Sequence, residues 1–306
     1  MDWYFRNRRD LPWRRNRHPY QIWISEIMLQ QTRVAVVIRH YHKFLVRFPT
    51  VHRLAAARES SVLAVWSGLG YYRRARMLHA ASKQIVKQFA GKFPEAPDEL
   101  AGLPGIGRYT AAAIASIAHD RPVAVVDGNV KRVLARMIGR PVSERQVWQT
   151  ASRLLSHQHP GDFNQALMEL GAVICLPQGP KCDLCPVIKH CSTRGVLPRS
   201  NASVPQKKRT VCYSLDRRDG SILLVKRPDR ARLMPGMWEL PEIKGSGKGP
   251  AAFTVRHSIT VTRYVVRVIM GSALVETSGT WVKNSRLRTL PLTGLARKIL
   301  SAAEII

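Results

Sequence analysis

Four of the five cysteines lie between positions 175 and 191, as Cys175, Cys182, Cys185 and Cys191, spaced C-x6-C-x2-C-x5-C. Thiols that close along the chain share one short loop and can surround one centre. The N-terminus MDWYFRNRRD lacks a signal peptide's apolar core, so the chain reads as intracellular, specifically cytoplasmic, and the thiols as a ligand set rather than a disulfide framework. A four-cysteine zinc site and a [4Fe–4S] cluster both accept such a set. The two separated C-x2-C knuckles usual in zinc ribbons are missing, which leans towards iron. Either metal is structural, since ligation consumes all four thiols. Cys212 stands apart.

Ahead of the loop, helical periodicity runs almost throughout the first 190 residues, broken by punctuators such as Gly68-Leu69-Gly70, Phe93-Pro94 and Leu103-Pro104-Gly105. This predicts an all-α domain over 1–194. From Gly195 the chain turns to Pro, Ser, Asn and Lys (GVLPRSNASVPQKK), a linker over 195–208. The β-branched runs SILLV and TRYVVRVIM then predict a smaller strand-containing domain over 209–306.

Charge narrows the partner. Lys and Arg number 49 against 20 Asp and Glu, a net charge of +29, which favours a polyanion and costs self-repulsion without one. Nucleic acid fits, and no apolar run approaches the roughly 20 residues of a membrane-spanning helix. Lys181, Lys189, His190 and Arg194 also set charge in or beside the cysteine loop.

Three local patterns carry chemistry. Leu103-Pro104-Gly105-Ile106-Gly107 before TAAAIASIA is a glycine turn opening on a helix N-terminus, where backbone N–H groups and the helix dipole attract phosphate; an ordinary helix–helix turn has the same look. Glu26, in YQIWISEIMLQQT, interrupts an apolar stripe four residues after Ile22 and three before Leu29. Burial there raises a carboxyl pKa and makes a general acid, unless Arg14 or Arg73 pairs with it. Asp127, between VAVV and GNVKRVLARMIG, is a natural N-cap, and the helix dipole keeps such a carboxylate ionised, ready to face an oxocarbenium-like sugar. The two pKa values are thus expected to be pushed apart.

Together these segments carry a resemblance. SEIMLQQT, GLGYYRRAR, LPGIGRYTA, VDGNVKRVLAR, FNQALMELGAVIC and the cysteine cluster, in this order over residues 1–192, resemble the MutY family of adenine DNA glycosylases within the endonuclease III superfamily. The resemblance implies a helix-hairpin-helix domain with a [4Fe–4S] cluster, Glu26 protonating adenine, Asp127 stabilising or capturing the sugar cation, and Asn129 orienting the site. Gln31 and Tyr71 match positions that enter the base stack near the lesion, though unaided they read as an exposed helix Gln and a core Tyr. Trp13, Arg14 and Glu169 match residues near the adenine pocket, Glu169 equally as half of an ion pair. Leu103, Gly105 and Gly107 match the DNA-gripping hairpin. Endonuclease III-type enzymes carry Gln where this chain has Glu26 and a nucleophilic Lys where it has Tyr109, so a monofunctional glycosylase is implied.

VKRPDRARLMPGMWELPEI resembles the family's partner-base-reading domain, which is Nudix-like and α+β. Pyrophosphate cleavage by this domain is not expected, because after Glu242 the remaining carboxylates are Glu276 and Glu304, too few for a Mg2+-holding helix. Where many relatives carry Phe-Ser-His to inspect 8-oxoguanine, this chain has Ile259-Thr260-Val261 after Arg256-His257-Ser258, which leaves Thr260 as the reader, with His257 or Ser258 as substitutes. The implied partner is duplex DNA bearing A opposite 8-oxoguanine or G, bound by a monomer. Removal of thymine opposite G, and a non-catalytic iron–sulfur redox sensor on DNA, are the alternatives.

Overall fold

The structure, a computed structural model, describes residues 1–195, 207–231, 233–243, 250–259, 262–271 and 279–306. Thr260 and most of the 195–208 stretch lie outside the described residues. Helices fill the first part: α1 (Asp2–Asn7), α2 (Pro19–Leu29), α3 (Val34–Arg47), α4 (Val51–Ala55), α5 (Glu59–Trp66), α6 (Arg73–Phe89), α7 (Pro97–Ala101), α8 (Arg108–His119), α9 (Gly128–Ile138), α10 (Glu144–Leu154) and α11 (Pro160–Val173). After them come β1 (Lys207–Leu215), β2 (Arg217–Arg218), β3 (Ser221–Lys226), β4 (Trp238–Glu239), β5 (Glu242–Ile243), β6 (Phe253–Ile259), β7 (Thr262–Met270), β8 (Thr280–Lys283), α12 (Asn284–Leu287) and α13 (Gly294–Ala302). Among the described residues no helix is long and apolar enough to cross a membrane.

The chain forms two compact units, Met1–Ala56 with Ala80–Ser200, and Ala57–His79 with Asn201–Ile306. The first unit is built on α2, which buries every residue from Ile22 to Met28, as expected of a helix apolar on all sides. It packs on α8, whose run of alanines lets backbones approach. Two glycines in α11 set the spacing of the site helices. A Cβ at Gly161 would stand 2.5 Å from the Ser116 carbonyl of α8, and one at Gly171 2.6 Å from the Asn129 Cβ of α9. Neither neighbour can swing away, so close packing of α11 on both helices requires glycine at these points.

In the second unit a mixed sheet has strand order β5-β1-β7-β6. β1 runs parallel to β7, from Lys207 opposite Thr262 to Leu215 opposite Met270, and β6 lies antiparallel on β7. β3 pairs antiparallel with β2, β4 and β8. Their apolar faces meet α12 and α13 in one core that includes Leu215, Leu224, Val266, Val268, Leu287 and Ile299.

The Ala57–His79 segment belongs to this second unit, although the sequence assigns it to the helical domain. Its polar groups explain why. Ser67 Oγ and Tyr72 OH both donate to the Leu292 carbonyl, at 3.0 and 3.2 Å, and Arg76 donates to the Pro235 carbonyl at 2.6 Å. Buried hydroxyls need such acceptors.

Candidate active site

Four helices of the first unit turn side chains into one cavity of about 760 Å³. α2 supplies Glu26, the start of α8 supplies Tyr109, the entry to α9 supplies Asp127 and Asn129, and α11 supplies Met168 and Glu169; Trp13, Arg14 and Gln31 also line it. Trp13 is buried and meets the Tyr41 ring edge-on at 5.4 Å. The proposed catalytic positions thus come together, from points far apart in sequence.

Glu26 is 6% exposed. Burial pushes its pKa up to about 7; a hydrogen bond from Tyr109 pulls it down, the Asp127 charge raises it again and Arg14 lowers it. The Tyr109 hydroxyl donates to Glu26 Oε2 at 2.5 Å and also meets Met168 Sδ at 3.7 Å. At neutral pH a large fraction of Glu26 therefore keeps its proton, inside a cavity and within reach of a ligand.

Asp127 caps α9. Its Oδ1 accepts from the Val130 N–H at 2.7 Å and its Oδ2 from Asn129 Nδ2 at 2.9 Å. Burial nevertheless raises its pKa against those bonds and the charge of Arg132. Both carboxyls consequently shift upward, so the cap bonds and helix position of Asp127 moderate its rise without reversing it. What distinguishes them is their bonding: Asp127 accepts several hydrogen bonds that favour its anion, and Glu26 is dominated by burial.

Glu169 is fully buried and belongs to an ion-pair network. Arg9 Nε reaches Oε1 at 2.7 Å, Arg9 Nη2 reaches Oε2 at 2.8 Å and Arg14 Nη2 reaches Oε2 at 2.7 Å. Burial raises its pKa, but these bonds outweigh burial and hold it at about 2. Arg14 thus hydrogen-bonds Glu169 and reaches Glu26 only through its charge, a smaller influence than burial. Arg9 has no motif of its own to mark it in the sequence.

Arg132 is a second residue that the motifs do not single out. Its Nη2 donates to Asn129 Oδ1 at 2.9 Å and to the Gly171 carbonyl at 2.7 Å, and its Nε to the Cys175 carbonyl at 2.8 Å. One guanidinium thus links the Asp127–Asn129 pair to the first cysteine. Helical spacing is the signal that finds it, since Arg132 lies three residues after Asn129 on one face of α9. One turn further, Arg136 donates to Cys175 Sγ at 3.1 Å and to the Leu176 carbonyl at 2.7 Å.

All four loop cysteines are partly buried, whereas Cys212 is buried on its own in β1. Burial raises the Cys185 pKa, and Cys175, Cys191 and Cys182 lie near enough to raise it further. Val133, Leu170, Ile174 and Val187 surround the loop with apolar side chains. Among the described residues no three His, Cys, Asp or Glu side chains stand ready to hold a single metal ion.

The hairpin runs from α7 to α8. Gly105 has φ +75°, a conformation glycine adopts freely, and Gly107 caps α8, with open space where a Cβ would point. Leu103 faces inward: its side chain is 3% exposed and its N–H is donated to Leu100. Its side chain supports the turn from within. Gln31 is exposed at the end of α2 with φ +56°, and Tyr71 is 48% exposed with φ +47°. Tyr71 is therefore not the core tyrosine its sequence context suggests. His257 lies mid-strand in β6 opposite Tyr264, half-buried, with burial and Lys298 lowering its pKa.

Comparison with known proteins gives this geometry a family. A family model described as HhH-GPD superfamily base excision DNA repair protein matches residues 24–156. An adenine DNA glycosylase of Arabidopsis thaliana is 39% identical over 85% of this chain and 49% of its own length. One from Homo sapiens is 46% identical over 63% of this chain and 38% of its own length. The chain thus spans half or less of these two relatives. The solved structure of a thermostable thymine-DNA glycosylase, 32% identical, superposes with a TM-score of 0.60 over 63% of this chain and 92% of that one. With Glu26, Tyr109, Asp127 and Asn129 inside the matched residues and a solved relative covered almost end to end, the chain belongs to the HhH-GPD superfamily of base excision DNA repair proteins.

Proposed function

We propose that this protein is a monofunctional DNA glycosylase that removes adenine mispaired with 8-oxoguanine or guanine, acting as a monomer on duplex DNA. The observation that carries this reading is a buried Glu26, with its pKa at about 7, sharing a cavity with the N-capping Asp127. Adenine is a poor leaving group until a ring nitrogen is protonated. In the proposed reaction, the Glu26 carboxyl gives its proton to N7 of a flipped-out adenine, the C1′–N9 bond breaks with its electron pair going to the base, and the Asp127 carboxylate faces the sugar cation until water adds at C1′ and gives up a proton that restores the Glu26 carboxyl. Asn129 and Arg132 hold Asp127 in place. Tyr109 steadies Glu26 and, lacking an amine, forms no Schiff base with the sugar.

The same reading assigns Gly105 and Gly107 to a phosphate grip. Open space beside Gly107 supports it, because the protein itself does not require a glycine there. Gln31 and Tyr71, both exposed at positive φ, are assigned to the base stack, as unfavourable backbone geometry is commonly held at working positions. The C-terminal unit is read as Nudix-like and as the reader of the opposite base, with His257 and Thr260 as its candidates.

A [4Fe–4S] cluster is proposed on Cys175, Cys182, Cys185 and Cys191. Four mutually close thiols in an apolar shell, one of them accepting from Arg136, suit thiolate ligation. A cluster of several atoms is wider than one ion, so its sulfurs stand farther apart than those of a zinc site. The cluster's contribution here is structural, joining α9 to the loop.

The thymine-DNA glycosylase match favours a second reading, removal of thymine opposite guanine. A pyrimidine offers no N7 to protonate, and Glu26 then has no task. A single-turnover assay on duplexes with A opposite 8-oxoguanine, A opposite G, and T opposite G separates them. Release of adenine is expected; release of thymine without adenine overturns the proposal.

A further inference from the structure

We propose that Arg297 and the carbonyl of Leu292 are positioning groups for Tyr71, holding the 68–71 turn so that the phenol ring is presented to a distorted base stack. The inference deepens the glycosylase reading and rests on it.

The 68–71 turn is costly to hold. Gly68, Gly70 and Tyr71 have φ of +105°, +69° and +47°, and a tyrosine in the left-handed region persists only where its surroundings over-determine it. Some of that restraint is local: Trp66 Nε1 donates to the Gly70 carbonyl at 3.1 Å, and Arg74 Nη2 to the Leu69 and Gly70 carbonyls at 3.2 and 3.3 Å. The Arg74 guanidinium also lies 5.4 Å from the Trp66 ring and 5.5 Å from the Tyr71 ring, a cation–π contact that fixes the phenol's direction. Tyr71 nevertheless remains 48% exposed, unlike its neighbour Tyr72 at 4%. An exposed aromatic on a restrained turn of a basic chain is suited to stacking on a nucleobase.

The residues on either side of the turn are tied to a distant stretch. Ser67 Oγ and Tyr72 OH converge on the single carbonyl of Leu292, and Ser67 Oγ accepts from Arg297 Nε at 2.9 Å. Leu292 is itself held: Trp238 N–H donates to the Pro291 carbonyl, and Thr293 N–H to the Trp238 carbonyl, each at 2.9 Å. Thr293 caps α13, which places Arg297 one turn into that helix. A continuous chain of hydrogen bonds thus runs from β4 and α13 to both shoulders of the turn. The unit assigned to reading the opposite base would in this way also set the residue that opens the stack beside it.

The test uses the full chain and a duplex with 2-aminopurine next to the 8-oxoguanine of an A mismatch, whose fluorescence rises when it unstacks. Tyr71→Ala should abolish most of that rise and lower the single-turnover preference for 8-oxoguanine over guanine about fivefold to tenfold. Arg297→Met should do the same to a lesser degree, at least threefold, with Arg297→Lys restoring most of it. In the Tyr71→Ala background, Arg297→Met should add less than twofold. Ser67→Ala, which deletes the same hydrogen bond by removing one oxygen, serves in its place where Arg297→Met does not fold. Multiplying effects in the double variant, or no effect of either Arg297→Met or Ser67→Ala, overturns the positioning role. Absence of adenine release by the wild-type chain is the separate result that sinks the glycosylase reading beneath it.

Discussion

Replacing Tyr109 with Phe tests the acid assignment through its environment. The phenol donates to Glu26 Oε2 at 2.5 Å, a bond that favours the carboxylate and holds the pKa at about 7 against burial. A hydrogen bond to a charged group is worth about 1.5–3 kcal/mol, and the neutral acid keeps part of it. A differential of about 1.4 kcal/mol is then reasonable, or about one pKa unit. Tyr109→Phe should therefore move the Glu26 carboxyl to about 8. Because catalysis uses protonated Glu26 and ionised Asp127, the single-turnover rate should fall in acid as Asp127 protonates, level off between the two pKa values and fall tenfold per pH unit above that of Glu26. Normalised to its own plateau, the variant should outpace the wild type about eightfold at pH 8.5. Bound DNA adds the same field to both proteins, so their difference survives. Stability supplies a second reading: a carboxyl raised above its unfolded value stabilises fully in acid and loses that contribution as pH rises through the folded pKa, so the decline should extend about one unit further in the variant. An alkaline limb that stays in place, or moves towards acid, refutes the assignment of that limb to Glu26.

Three further outcomes follow from the packing and ion pairs. Glu169→Gln should destabilise by about 3 kcal/mol in denaturant unfolding, since it leaves the partly buried Arg14 uncompensated. Held at about 2 when folded, Glu169 contributes fully above its unfolded value of about 4.3, and that contribution should fade as pH falls towards 2 in the wild type alone. Gly171→Ala should displace Asn129, which lies 2.6 Å from the added carbon, and cut the excision rate at least tenfold with a smaller loss of duplex affinity; an unchanged rate contradicts the close α9–α11 crossing. Anaerobically purified protein should contain four iron atoms per chain, lose them on Cys185→Ser and keep them on Cys212→Ser; zinc without iron contradicts the cluster.

Much of this site is legible in the residues because it depends on local patterns. Glu26 in an apolar helix and Asp127 before a helix are readable by spacing, and the structure buries the first and makes the second an N-cap. What stays hidden depends on pairs distant in sequence. Arg14 reads as a candidate partner for Glu26, yet 155 positions separate it from the Glu169 that binds it. The upward shift at Asp127 is a balance between burial and several hydrogen bonds, whose sign no motif carries. Tyr71 follows a glycine turn, and its exposure depends on that turn's positive φ values, where periodicity alone suggests core. The membership of Ala57–His79 in the second unit rests on bonds to Leu292 and Pro235, more than 150 residues away along the chain.

The central claim is that Glu26 supplies the proton that releases adenine. Its most direct measurement is the single-turnover rate of Glu26→Gln on a duplex with A opposite 8-oxoguanine, with duplex affinity measured in parallel. Gln fills the same space and donates no acidic proton, so excision should be lost while affinity stays within about twofold, because no phosphate contact is removed. A variant that keeps more than about a tenth of the wild-type rate, a loss below about 1.4 kcal/mol, shows that the proton comes from elsewhere.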